Sequence, residues 1–132
     1  MVIVDTTVWV DYLRGIRNLE TEWLGREADK QRLGLTDLIL CEVLQGVRAD
    51  REFDRVRAAL LRFELFETGG ERLAIAAAQN FRRIRAKGRT IRKTIDCLIA
   101  TFCIVHGHSL LHHDNDFQHF EELLGLSVVR AE

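Results

Sequence analysis

Proline is absent from all 132 residues, and there is no Ser/Gly-rich linker, low-complexity segment or internal repeat. With no such stretch to divide it, the chain reads as one domain over residues 1–132, long enough to bury a core. No apolar run reaches the length of a membrane span. Asp5 directly follows the first apolar residues, which argues against a signal peptide. Cysteine is scarce: Cys41, Cys97 and Cys103 are odd in number and lie in apolar surroundings. They read as buried free thiols in a reducing cytosol, which argues against a disulfide framework. Hydrophobic residues make up 47% and charged residues 30%, so neither a disordered chain nor a membrane protein is expected.

Net charge is also nearly absent, at −1, and gives no global pull toward nucleic acid. Its distribution is uneven. Between Arg72 and Ile95 there is no acid, whereas Arg72, Arg82, Arg83, Arg85, Lys87, Arg89, Arg92 and Lys93 are all basic. Such a run is ordinarily a solvated helix face, and becomes a phosphate-tracking surface when it lies beside a reactive site.

The residues present alternate short apolar runs with longer amphipathic ones. "VIV" (Val2 to Val4) is a β-branched run of the kind buried on both faces of a sheet. Thr6 or Thr7 can cap a helix to Leu13, stopped by Gly15. An amphipathic stretch from about Leu19 to Asp29 precedes a brief strand in "RLGL". Thr36 caps a helix from Asp37 to about Val47. Helices are expected over Asp50 to Leu61 and Glu71 to Ala86, with a strand in "FELF" between them. Gly88 ends the basic helix, and Thr94 opens another running to about His106. "SLLHH" (Ser109 to His113) and "LSVVR" are the last strands. Trp9, Tyr12 and Phe102, at helical spacings, read as core. Alternating strands and helices predict a three-layer α/β/α fold with a mostly parallel sheet. Sites in such sheets form at the carboxyl ends of strands, near the switch in strand order.

That rule points to the residues just after "VIV" and "SLLHH", and in both places an aspartate comes first. Asp5, Asp114 and Asp116 taken singly are ordinary turn or cap residues. Glu42 is harder to place, because "LILCEVL" surrounds it with apolar side chains and burying it ionised without a partner is costly. Asp96 is the one charge in an apolar helix; in a first turn it would also complement the helix dipole. Together, these acids would repel one another unless a cation neutralised them. An all-oxygen set suits Mg²⁺ or Mn²⁺ and supports metal-assisted phosphodiester hydrolysis.

On "IVDTTVWVDYL", "CEVLQG", "TIRKTIDCLIA" and "LLHHDNDF", taken in this order, the chain resembles PIN-domain proteins, specifically the VapC toxins of bacterial toxin–antitoxin pairs, over essentially its full length. The resemblance implies that Asp5, Glu42, Asp96 and Asp114 are the four acids of the active site, with Asp116 as an additional metal-binding carboxylate. Thr7 stands where the family usually has a hydroxyl that orients an acid or a metal-bound water. It further implies a cytoplasmic endoribonuclease dependent on one or two Mg²⁺ or Mn²⁺ ions, a homodimer, and silencing by a VapB-like antitoxin. His113 departs from the pattern, standing where many relatives carry arginine. Arg89, Arg92 and Lys93, close to Asp96, are the expected contacts to RNA phosphates.

Competing readings are a non-catalytic antitoxin-binding module of the same fold and a PIN-type structure-specific DNA nuclease. His106, His108, His112, His113 and His119 raise the question of zinc, but no H-x₃-H pair lies on a predicted helix and no cysteine partner has the usual spacing. Adjacent on a strand, His112 and His113 would point to opposite faces, leaving either free to line a groove. No P-loop or dinucleotide fingerprint occurs, and "DTTVW" lacks the second aspartate of an aspartyl-phosphate phosphatase.

Overall fold

In the computed structural model, which describes residues 1–132, "VIV" forms β1 (Val2–Val4) with all three residues buried. β1 is central, pairing in parallel with β2 (Leu33–Thr36) on one side and β4 (Ser109–Leu111) on the other. A strand flanked and covered in this way has no solvated face, hence its continuous apolar run. β3 (Glu64–Phe66) and β5 (Ser127–Val128) are the edges, and the order β3-β2-β1-β4-β5 is parallel throughout. From β1 the chain first builds β2 and β3 outward, then returns to place β4 on the opposite side. The strand order therefore switches between β1 and β4.

Helices flank this sheet in the expected α/β/α arrangement. α1 (Thr6–Leu13) packs on α2 (Leu19–Glu27) and α3 (Asp37–Gln45), and α3 on α4 (Asp50–Leu60). α5 (Glu71–Ala86) packs on α6 (Thr94–His106) and α7 (Gln118–Leu124). α6 is the most deeply set, burying Ile99, Ala100, Phe102 and Cys103 among others. Burial of a side chain as large as Ile99 or Phe102 contributes roughly 1.5–3 kcal/mol. Gly107 ends α6 at φ 70°, a left-handed turn that leads directly into β4. Gly34 on β2 has a different reason, close approach: a Cβ there would stand 2.9 Å from the Glu64 carbonyl and 3.1 Å from the Phe66 ring. No helix is long and apolar enough to cross a membrane.

Several expectations need correction. α3 stops at Gln45, capped by Gly46, short of Val47. α2 stops at Glu27, short of Asp29. β4 ends at Leu111, so His112 and His113 lie beyond the strand and strand alternation does not govern them. Cys97 and Cys103 are buried but Cys41 is exposed. It lies two residues from both Ile39 and Val43, the buried stripe of α3, which at 100° per residue turns it away from the core. Tyr12 is likewise 44% exposed, meeting Trp9 edge-on rather than entering the core.

Candidate active site

The carboxyl ends of β1 and β4 are joined by a hydrogen bond in which the Asp5 amide donates to the Leu111 carbonyl at 2.9 Å. Asp5 is 2% exposed and is itself the N-cap of α1, in place of the Thr6 or Thr7 expected from sequence. Its Oδ2 accepts from the Thr7 amide at 3.2 Å and the Thr7 hydroxyl at 2.8 Å. Its Oδ1 is buried with no partner. The cap role and the site role therefore both apply, one to each oxygen.

Thr7 Oγ1 also accepts from the His113 amide at 3.0 Å, so a single hydroxyl ties the end of β4 to the carboxylate after β1. The neighbouring hydroxyl does the same for another element: Thr6 Oγ1 donates to Glu42 Oε1 at 2.7 Å, drawing half-buried Glu42 of α3 toward the start of α1. Thr6, expected from the sequence only as a helix cap, is thus a site residue. The signal for it is the tandem hydroxyl pair in "DTT", two successive donors in a first helical turn.

Asp114 lies three residues beyond the end of β4, whereas Asp5 follows β1 directly. It caps a 3₁₀ turn (Asn115–Phe117), with Oδ1 accepting from the Asp116 amide at 3.0 Å. Asp96 enters from the first turn of α6, 5% exposed and with Oδ2 buried and unpartnered. Oxygens of Asp96, Asp114 and Asp116 all lie within 4.8 Å of one another. Burial pushes the Asp5 carboxyl up to about 6; the Thr7 bonds oppose that rise and the Glu42 charge adds to it. Burial first, then the charges of Asp5 and Asp114, push Asp96 up to about 7, with Lys93 opposing. Two buried carboxyls with unsatisfied oxygens, each raised partly by its acidic neighbours, are what a hard cation would relieve. The donor set is all oxygen and fits Mg²⁺ or Mn²⁺.

The basic residues are more committed than expected. Arg92 forks onto Asp116, Nε donating at 2.9 Å to Oδ2 and Nη2 at 3.1 Å to Oδ1. Arg89 pairs with Glu122 of α7 at 2.5 Å. Lys93 is exposed at the N-cap of α6 and forms no ion pair. The histidines scatter. His106 and His108 lie near Met1 at the opposite end of β4. His112 turns inward against Phe117, its ring centroid 4.9 Å away, and its Nδ1 accepts from the Asp114 amide at 3.1 Å. Burial lowers its pKa, so the neutral ring serves as an acceptor that shapes the Asp114 turn. His113 is exposed, with Nδ1 3.5 Å from Asp11 Oδ2.

Known proteins share this arrangement of elements. The chain is 27% identical over 131 residues to a VapC ribonuclease of Mycobacterium bovis and to ribonuclease VapC11 of Mycobacterium tuberculosis, in each case over 98% of both chains. Among solved structures, VapBC2 of Rickettsia felis bound to a promoter DNA fragment aligns with TM-score 0.78 at 16% identity, over 98% of each chain. FitAcB of Neisseria gonorrhoeae aligns with TM-score 0.77 at 19% identity, over 99% of this chain and 98% of its own. The PIN domain model matches residues 2–123. The central parallel sheet, the acids gathered at its switch point and this match across nearly the whole chain lead to one assignment: the protein belongs to the PIN domain family.

Proposed function

We propose that this protein is a VapC-type toxin, a cytoplasmic endoribonuclease that hydrolyses RNA phosphodiester bonds, acts as a homodimer and is held inactive by a VapB-like antitoxin. The observation that carries the reading is the pair of buried, unpartnered carboxylate oxygens on Asp5 and Asp96, beside Asp114 and Asp116 at the switch point of the sheet. The ribonuclease relatives aligned over 98% of the chain support the reaction, and the toxin–antitoxin complexes of the same fold support the partner.

Asp5, Asp96 and Asp114 would hold Mg²⁺ or Mn²⁺, with Glu42 completing the shell or positioning water and Asp116 serving a second ion. When bound, the cation activates water, orients the phosphate and neutralises charge on the leaving oxygen. The chain's own residues hold the rest of the geometry. Thr7 fixes the rotamer of Asp5 and Thr6 that of Glu42. Unpaired Lys93 would meet RNA phosphates first, with Arg89 and Arg92 joining it as they leave Glu122 and Asp116.

The test is cleavage of matched RNA and DNA hairpins by the purified chain with Mn²⁺, beside Asp5→Asn and Asp96→Asn. RNA cleavage lost in both variants is the expected result. Retained cleavage in both overturns the metal mechanism, and equal cleavage of the DNA hairpin overturns the assignment to RNA.

A further inference from the structure

The acidic cluster has two unlike halves. On one side, Asp5 Oδ1 and Asp96 Oδ2 are buried and bonded to nothing. On the other, Asp116 is only 8% exposed yet fully engaged. Its Oδ2 accepts from Arg92 Nε, its Oδ1 from both Nε and Nη2, and Nη2 also stands 4.0 Å from Asp114 Oδ1. A cation already sits against that side of the cluster, and it belongs to the chain. A guanidinium matches a carboxylate with two parallel donors, so the pair is specific in geometry as well as charge. The Arg92 side chain is nevertheless 71% exposed and tethered just before α6, so it can swing away without disturbing the core.

A divalent ion bound through Asp116 would share the carboxylate oxygens that Arg92 already engages, and it would place a second positive centre against the guanidinium. The two therefore compete for Asp116. We infer that Arg92 is a tethered competitor for the second cation position. While it stays on Asp116, the cluster takes one divalent ion, on the side of Asp5, Asp96 and Asp114. A second ion enters through Asp116 only as Arg92 lets go, and the released guanidinium is then free for an RNA phosphate. This rests on the reading of the cluster as a metal site, and makes Arg92 a positioning residue that sets how many ions the site holds.

The experiment is titration of the whole chain with Mn²⁺ alone, following free Mn²⁺ by electron paramagnetic resonance, for wild type, Arg92→Gln, Asp116→Asn and the double variant. Circular dichroism confirms that each is folded. Wild type is expected to take one ion tightly and a second more weakly. Removing a charged, two-point competitor should tighten the second in Arg92→Gln by about tenfold and leave the first nearly unmoved. Asp116→Asn should lose the second ion, and the double variant should match Asp116→Asn. Superimposable titrations of wild type and Arg92→Gln overturn this inference alone, as does a gain that survives in the double variant. A wild-type chain that takes up no Mn²⁺ overturns the metal reading and this inference together.

Discussion

Asp5 and Asp114 play matching parts: Asp5 directly follows β1 and Asp114 lies three residues beyond β4, and each caps the next helical turn by accepting from the backbone amide two residues on. Their surroundings differ in the residue that supplies that amide. After Asp5 it is Thr7, whose hydroxyl adds a second bond to the same oxygen and leaves the other oxygen bare in the core. After Asp114 it is Asp116, another carboxylate, which attracts Arg92 from a different element. The strand end sets where an acid stands, and the residue two positions later sets which groups its oxygens meet.

The largest expected effect removes the charge itself. Asp5→Asn and Asp114→Asn each keep an oxygen for the cap, so both should fold, and both should lose RNA cleavage by about 100-fold or more. Normal cleavage by either variant in a fluorescent RNA assay would break the equivalence.

A second test uses stability in EDTA. Asp5 and Asp96 have pKa values of about 6 and about 7 in the folded chain, above the ordinary carboxyl value of 3.8. Between those limits the folded state binds more protons than the unfolded one, so stability should fall as pH rises from about 4 to 7. Asp96→Asn removes the Asp96 share of that titration, and at pH 8 it should be more stable than wild type by on the order of 1–3 kcal/mol in urea melts. Saturating Mn²⁺ should reverse the ranking.

Smaller effects come from the hydroxyls. Thr7→Val takes a stabilising bond from ionised Asp5, so the acid limb of the pH–rate profile should move to higher pH, with about a tenfold loss at neutral pH. Thr7→Ser should restore the profile, whereas a merely structural defect would lower the rate without moving the limb. Thr6→Val should cost least, roughly 2–5-fold in kcat, because Glu42 loses one hydrogen bond but stays on its helix.

The same contrast explains which features are legible in the sequence. "VIV" and the apolar stretch after Asp96 are legible because continuous burial leaves continuous apolar sequence. An acid directly after a buried strand is legible for the same reason, since the sheet ends where the run ends. The Arg92–Asp116 pair spans 24 residues and the Thr6–Glu42 bond 36, and no local period encodes either. The inward turn of His112 also depends on a tertiary partner, Phe117, packed beneath it. Cys41 misleads because its neighbours are apolar in sequence, whereas the buried stripe of α3 passes through Ile39 and Val43.

The bond from the Asp5 amide to the Leu111 carbonyl has a consequence for motion. It lies between two central strands at the middle of the sheet, where local opening is most costly. The Asp5 amide should therefore exchange its hydrogen only when the whole chain unfolds, while amides near Arg92 exchange through small local excursions. A site anchored in this way does not loosen by degrees. Mutations elsewhere that weaken the fold should lower the fraction of intact molecules while leaving the geometry between Asp5 and Asp114 unchanged in those that remain folded.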